Sequence, residues 1–292
     1  MKRKKRYHAT NPLTGWLFLL PQLLFFAAFT IYPVFEGFRI SLYRTTPVSE
    51  TFVGLRNYIE LFRDPVFLTS TKNTVLLTVI VVPATLLLGA FISIAIFDKR
   101  PGYISAIRSM YYLPVIVSNV VMSMVWNFLL NPASGLVSYL IRSAGGGTVN
   151  LLGDRRYVLW VIAFVTVVAS VGQTVILYVA AMIGIPGDLF DAAMVDGASK
   201  VKRARHILIP LVKPTTLYLF VTNTISILKL FVIIQLLTDG GPNNASMTMM
   251  YYLYRSAFVY DKTNQAAAIG VLMLLLSVIL VIPQFRSLTA ED

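Results

Sequence analysis

The chain has 292 residues, of which 57% are hydrophobic and only 13% are charged, and its mean hydropathy is +0.72. An ordinary soluble domain carries about 25% charged residues, so this composition argues against a soluble globular protein and for a chain that faces lipid. Cysteine is absent, which excludes disulfides, thiolate nucleophiles and Cys-ligated metals.

Long apolar runs predict an all-α membrane protein with six transmembrane helices. A membrane span needs roughly 20 apolar residues, and backbone groups in lipid must be paired within the segment, which favours helices. Alternating segments of about ten residues, which would indicate a β-barrel, do not occur. The six predicted spans are Leu13–Phe35, Leu76–Phe97, Met110–Leu130, Tyr157–Ile183, Leu211–Leu237 and Ala266–Phe285.

The distribution of Lys and Arg predicts that both termini are cytoplasmic. Basic residues crowd next to the helix ends on the side of the N-terminus, as the positive-inside rule requires. The predicted organisation is therefore a basic N-terminal tail (1–12), a six-helix transmembrane domain (13–285) and a short C-terminal tail (286–292). Basic residues that anchor the helix ends at the surface of the lipid membrane account for the net charge of +12. We therefore predict membrane lipid as a partner and no nucleic-acid partner.

The sequence shows no catalytic constellation and no site for a metal or cofactor. Its two histidines, His8 and His206, are far apart and do not form a metal-binding pair. The segment Gly145–Thr148 lacks the flanking Gly and Lys-Ser/Thr of a phosphate-binding loop. We therefore expect a transport subunit rather than an enzyme, with any nucleotide chemistry on another chain.

A polar, alanine-rich loop between the fourth and fifth spans, residues 184–210, predicts a short helix at the membrane surface. Asp188 and Asp191 follow Ile185-Pro186-Gly187 and suit the positive end of a helix dipole. Ala192 and Ala193 give the helix a small-sided surface that a partner can approach closely. Gly197, after Asp196, suits a left-handed turn that ends the helix, and a second helix is expected from Ser199 towards Pro210. From residue types alone, an ordinary interfacial loop without a partner is equally compatible.

The segment Asp191–Lys200, continuing to Ile207-Leu-Ile-Pro210, closely resembles the cytoplasmic "EAA" loop of binding-protein-dependent ABC importers. The resemblance to the carbohydrate-uptake permeases of the maltose and glycerol-phosphate type covers nearly the whole chain. One departure is Asp191, where that family usually has Glu. Further matching segments are Phe52–Tyr58, Tyr112-Leu-Pro114, Leu237-Thr-Asp-Gly-Gly-Pro242 and Tyr254–Phe258.

The resemblance implies partners that the chain itself does not contain. It implies a bacterial-type cytoplasmic membrane, a second homologous permease, two cytoplasmic ATPase subunits that bind ATP and Mg, and an extracytoplasmic solute-binding protein. Transport of a sugar or related carbohydrate is the function it implies, and the loop would act as a coupling helix that contacts the ATPase. The residues expected to form this contact are Asp191, Ala192, Ala193, Asp196 and Gly197.

Polar residues at helical spacing within three predicted spans suggest a substrate pathway. Polar groups are costly in the membrane and usually face a cavity or another helix, and a sugar needs hydroxyl, amide and aromatic partners. Packing between helices is the alternative, because small polar residues are common there. The candidate pathway residues are Asn119, Ser123, Gln173, Tyr218, Thr222, Ser226 and Lys229.

Two other classes of function stay open at this point. A self-contained secondary transporter or channel for a small polar solute would need broken helices and titratable groups deep in the membrane, where Lys229 is the single candidate. A membrane-embedded enzyme is disfavoured because catalytic groups are missing. The sequence does not identify the sugar, the ATPase or the subunit that binds substrate.

Overall fold

A computed structural model of the chain describes residues 12–45, 49–147 and 149–289. Over these residues the fold is helical apart from loops and one two-stranded hairpin. Most of the basic N-terminal tail (1–12) and the last residues of the C-terminal tail lie outside the described residues, as does Thr148.

The first predicted span is one continuous helical stretch that runs beyond Phe35 to Ser41. The hairpin that follows pairs Tyr43 with Phe52 in antiparallel register. The side-chain amide of Asn57 donates to the backbone oxygens of Ser41 (2.7 Å) and Tyr43 (2.9 Å), and so fixes the next helix beneath the hairpin. The elements are α1 (Pro12–Phe26), a π-helical turn (Ala27–Ile31), α2 (Tyr32–Ser41), β1 (Tyr43–Thr45), β2 (Glu50–Phe52) and α3 (Arg56–Arg63).

The centre of the molecule is a parallel pair of long helices, α4 (Pro65–Phe97) and α8 (Val158–Ile183). Helix α8 agrees with the fourth predicted span, whereas α4 begins well before the predicted Leu76. The Asp64 carboxylate caps α4 by accepting from the amide of Val66 at 2.8 Å, which satisfies one of the free donors at a helix start. The two helices supply much of the buried core.

The third predicted span, Met110–Leu130, is not a single helix. It is divided between α5 (Pro101–Ile116) and α6 (Asn119–Leu129), which meet at a bend of 94°. Val117 and Ser118 are extended, and Ser118 caps α6 through the amide of Val121. The short helix α7 (Leu136–Ser143) follows.

Close packing of α5 against α8 depends on Gly172. A Cβ atom at this position would lie 1.8 Å from the backbone oxygen of Tyr111, so only glycine allows the two backbones to approach this closely. Small residues have this role in many membrane helix pairs.

The fifth predicted span, Leu211–Leu237, is also broken. Helix α12 (Lys213–Leu228) ends at Lys229, and α13 (Val232–Leu237) begins after Phe231. The break frees backbone oxygens, and that of Leu230 accepts a hydrogen bond from the Thr248 hydroxyl at 3.1 Å. Irregular backbone of this kind is tolerated at membrane depth when it is buried in protein.

The sixth predicted span corresponds to α15 (Thr263–Thr289), preceded by α14 (Met249–Tyr254) and a π-helical turn (Arg255–Val259). Among the described residues, four helical stretches are long and apolar enough to cross a membrane, and the bent α5–α6 pair is a fifth candidate. The structure is therefore that of a helical protein with several membrane-span candidates. Helix α12, with 16 residues, falls short of a full span by itself.

Candidate coupling loop and polar cavity

The first arm of the loop between α8 and α12 is the helix α9 (Asp188–Val195), as the sequence predicts. Asp188 and Asp191 occupy its first turn, where the helix dipole favours negative charge. Phe190 is buried and anchors the helix to the bundle. Asp191 and Ala192 are exposed and Ala193 is half-buried, so α9 presents an acidic and small-sided surface away from the bundle.

A left-handed turn at Gly197 ends α9. Gly197 has φ = +72°, its amide donates to the oxygen of Met194 (3.0 Å), and the amide of Ala198 donates to the oxygen of Ala193 (2.8 Å). These two bonds form a Schellman motif, in which glycine relieves the strain of positive φ. The predicted turn is confirmed, and Asp196 occupies the exposed C-cap position before it.

The second arm begins at Ser199, whose hydroxyl accepts from the amide of Lys202. It continues as α10 (Lys200–Arg203), a π-helical turn (Ala204–Leu208) and α11 (Ile209–Leu211) directly into α12. The predicted second helix is present, with a π-helical turn that the sequence pattern does not reveal. The arm is thus joined to α12 without a flexible linker.

The polar stripes of three elements meet at one cavity of about 310 Å³ beside α12. Tyr218, Thr222 and Ser226 contribute from α12, Gln173 from α8, and Asn119 from the start of α6. Five of the seven candidate pathway residues therefore lie together. Their role in transport stays a prediction.

The other two candidates are placed differently. Ser123 is buried, and its hydroxyl donates to the backbone oxygen of Asn119 at 2.7 Å. Lys229 is the exposed residue that follows the last turn of α12. It does not line the cavity, so the stripe expected to include it ends at Ser226.

Several polar groups of the cavity are available to a solute. Within the described residues, the side chains of Asn119, Gln173 and Tyr218 make no hydrogen bond. The hydroxyls of Thr222 and Ser226 each donate to a backbone oxygen of α12 at 2.9 Å, which leaves their oxygens free to accept. The cavity thus offers amide, phenol and hydroxyl groups.

One polar residue of the cavity lies outside the polar stripes that the sequence shows. Asn223 lines the cavity, and its amide also donates to the oxygen of Leu219 at 2.8 Å. An Asn within an apolar span was the available signal, but it lies one residue beyond the stripe of Tyr218 and Thr222. Ser170 of α8, which belongs to the same polar stripe as Gln173 in the sequence, lines the cavity as well.

Apolar helices, a rigid loop and a polar cavity are the features of a membrane permease. Comparison with known families then shows to which family the chain belongs. The profile of the binding-protein-dependent transport system inner membrane component family matches residues 17–286. The chain belongs to this family. It is the permease component of a binding-protein-dependent ABC importer.

Individual relatives agree with the assignment over nearly their whole length. The probable ABC transporter permease protein YurN of Bacillus subtilis is 33% identical, covering 94% of this chain and 96% of the relative. The sn-glycerol-3-phosphate transport system permease protein UgpA of Yersinia enterocolitica is 30% identical, covering 93% and 92%. A solved bacterial ABC transporter for import of the acidic polysaccharide alginate has a chain with 22% identity and a TM-score of 0.85, covering 96% of both chains, which shows the same fold.

Proposed function

We propose that this permease imports a sugar or related carbohydrate across the cytoplasmic membrane. It would do so with a second homologous permease, two cytoplasmic ATPase subunits that bind ATP and Mg, and an extracytoplasmic solute-binding protein. The chain itself would bind no cofactor. The relatives include a permease named for sn-glycerol-3-phosphate, and this chain shares the fold of a chain of an alginate importer, which supports a carbohydrate-like solute.

The proposed topology has six spans with both termini in the cytoplasm. The first span is α1 with α2, the second is α4, the fourth is α8 and the sixth is α15. The bent α5–α6 pair and the interrupted α12–α13 pair would each serve as one span. This arrangement puts the loop 184–210 on the inner side and the segment 238–262 on the outer side.

The observation that carries the proposal is the geometry of the loop. Helix α9 exposes Asp191 and Ala192, while Phe190 on its inner side is buried. The Schellman turn at Gly197 fixes the angle between the two arms. A surface that is exposed, small-sided and rigidly mounted suits contact with an ATPase, and Ala193 and Asp196 flank it.

The proposed mechanism is alternating access. Closure of the ATPase dimer on ATP would push α9, and the movement would open the helix bundle outward. The binding protein would then release its solute towards the cavity that Gln173, Tyr218 and Thr222 line. Hydrogen bonds from amide and hydroxyl groups would replace the water that the solute loses.

Two variants of Gly197 test this proposal. Alanine at a position with positive φ costs about 1–2 kcal/mol, and a Cβ atom there meets nothing within 4 Å. Gly197→Ala and Gly197→Arg should therefore share the same backbone strain. They differ in that the Arg side chain extends over the surface where we place the ATPase.

The measurement is affinity purification of the tagged chain from native membranes, with mass spectrometry of the retained proteins. We expect wild type and Gly197→Ala to retain a second permease and an ATPase, and Gly197→Arg to retain the second permease without the ATPase. Equal retention by both variants would place the ATPase elsewhere. Recovery of the chain alone would favour a self-contained transporter, for which the interrupted α12–α13 pair is a compatible feature.

A further inference from the structure

The cytoplasmic end of α4 contacts both arms of the loop, although α4 is adjacent to neither arm in sequence. The Phe97 ring lies 5.0 Å from the ring of Phe190 in the first arm. The next residue, Asp98, accepts from Arg203 in the second arm, with Oδ2 to Nη2 at 3.2 Å. Lys200 is the second cation near Asp98, at 3.6 Å. We call the Phe97–Phe190 and Asp98–Arg203 contacts the α4 clasp.

Burial makes Arg203 the important cation of the clasp. Its side chain is 12% exposed, whereas that of Lys200 is 74% exposed. The Nε of Arg203 is buried without a hydrogen-bond partner, and Asp98 is the one carboxylate that pairs with Arg203 among the described residues. An exposed ion pair contributes little, but a guanidinium held away from water depends on its carboxylate.

The other end of α4 is tied to the segment that follows α13. The side-chain amide of Asn73 donates to the backbone oxygens of Ala245 (2.9 Å) and Met247 (3.0 Å). The Thr74 hydroxyl accepts from the amide of Met249 at 2.9 Å. From Asn73 to Phe97, at about 1.5 Å per residue, α4 covers roughly 36 Å between this attachment and the clasp, which is enough to cross a hydrocarbon core of about 30 Å.

We propose that α4 transmits movement of the loop to the outer segment 245–249, and that Asp98 and Arg203 are positioning residues of the transport cycle. This rests on the proposed function, in which an ATPase moves the loop. Pushing α9 displaces Phe97, and the ion pair makes the second arm and α4 move as one body. The loop is joined along the chain to α8 and α12, so α4 is a third helix that moves with it.

The test uses charge exchange in the complete transporter purified from its own membranes. Asp98→Arg and Arg203→Asp each place two like charges in the clasp, and the double exchange restores an ion pair of reversed polarity. Asp98→Asn removes the charge with almost no change in shape, so it decides the result if the reversals do not fold. Lys202→Asp is the matched control, because Lys202 is exposed on the same arm and is absent from the clasp.

The readout is the distance between spin labels at Leu68, near the outer end of α4, and Tyr139 on α7. Both side chains are exposed, and this chain contains no cysteine, so within this chain labels attach only at the introduced positions. Distances are measured without nucleotide and with ATP plus vanadate. ATPase retention is measured on the same samples.

We expect wild type and Lys202→Asp to shift the distance on nucleotide binding. The single clasp variants should lose the shift while retaining the ATPase, and the double exchange should recover it. An undiminished shift in Asp98→Asn and in both reversals would overturn the proposal, as would loss of the ATPase from the clasp variants, because the clasp would then serve docking. Absence of an ATPase from the wild-type complex would instead overturn the proposed function.

Discussion

Gly172 is the residue at which a single added carbon has the clearest consequence. Because a Cβ atom would lie 1.8 Å from the Tyr111 oxygen, Gly172→Ala must push α5 away from α8. Overpacking of this kind costs about 1–3 kcal/mol. We expect a lower melting temperature in detergent. Gly102→Ala is the control, because Gly102 is also helical and a Cβ atom there meets nothing within 4 Å; equal melting temperatures for the two variants would contradict the packing argument.

Tyr252 illustrates a polar contact that joins elements far apart in sequence. Its hydroxyl donates to the carboxylate of Asp64, the residue that caps α4. Burial raises the pKa of Tyr252 above its ordinary value, and the neighbouring Asp64 raises it further. The phenol therefore stays protonated, and remains a donor, at pH values where an exposed tyrosine would begin to ionise.

Loss of this donor should loosen the start of α4. Tyr252→Phe removes the hydrogen bond to the charged Asp64 acceptor, worth about 1.5–3 kcal/mol, and also the one that the hydroxyl accepts from the Gln265 amide at 3.2 Å, so we expect a lower melting temperature. The difference from wild type should persist to pH 10, because the native phenol keeps its proton there. Tyr260→Phe is the control, since Tyr260 is exposed. If the difference in melting temperature between wild type and Tyr252→Phe disappeared below pH 10, Tyr252 would not have a raised pKa.

At the scale of elements, the hydroxyls of α12 allow a test of the cavity. Thr222 lines it, whereas Thr224 is buried on another side of the same helix. Both hydroxyls donate to a backbone oxygen of α12, so Thr222→Val and Thr224→Val remove the same local bond. Only Thr222→Val also removes an acceptor from the cavity.

We expect Thr222→Val to lower the initial rate of carbohydrate uptake below saturation by about two- to tenfold, the equivalent of one hydrogen bond. Thr224→Val should transport normally. Uptake is first screened in cells with labelled sn-glycerol 3-phosphate, maltose and alginate oligosaccharides, and the positive compound is then used for both variants. If both variants lost the same activity, the cavity would have no special role.

The elements that were predictable from sequence are those set by local chemistry. Helix α8 follows from the length of its apolar run. The two arms around Gly197 follow from helix caps and a left-handed glycine, which act within a few residues. The sequence predicts one straight span at Met110–Leu130, because mean hydropathy carries no information on the direction of a helix axis. Pro114 and the helix cap Ser118 were the local signals of the bend after Ile116. Asp98 and Arg203 are separated by 105 residues, and no pattern in the sequence brings them together.

The same limit applies to the cavity. Helical spacing correctly grouped Tyr218, Thr222 and Ser226 on one face of α12, because a helix places residues four apart on the same side. It extended the stripe to Lys229, since nothing in the periodicity marks the end of the helix at Leu228. That α12 meets Gln173 and Asn119 depends on tertiary packing, which one sequence does not reveal.

At the scale of the whole molecule, the proposed orientation is open to a direct test. Helices α4 and α8 both end beside the loop 184–210, and α12 runs back along them, so this loop and the segment 238–262 lie at opposite ends of the bundle. Val201 on the loop and Asn243 on the other segment are both exposed. Because the chain contains no cysteine, Val201→Cys and Asn243→Cys each introduce a single thiol.

With both termini in the cytoplasm, a membrane-impermeant maleimide added to intact cells should label Cys at position 243 and not at position 201. Permeabilised cells should show labelling at both positions, and the parent chain should show none. The physical reason is the density of basic residues near Val201, which favours the cytoplasmic side. Labelling of position 201 in intact cells would place the loop outside, where no ATPase has access to it, and the coupling role of α9 would have to be abandoned.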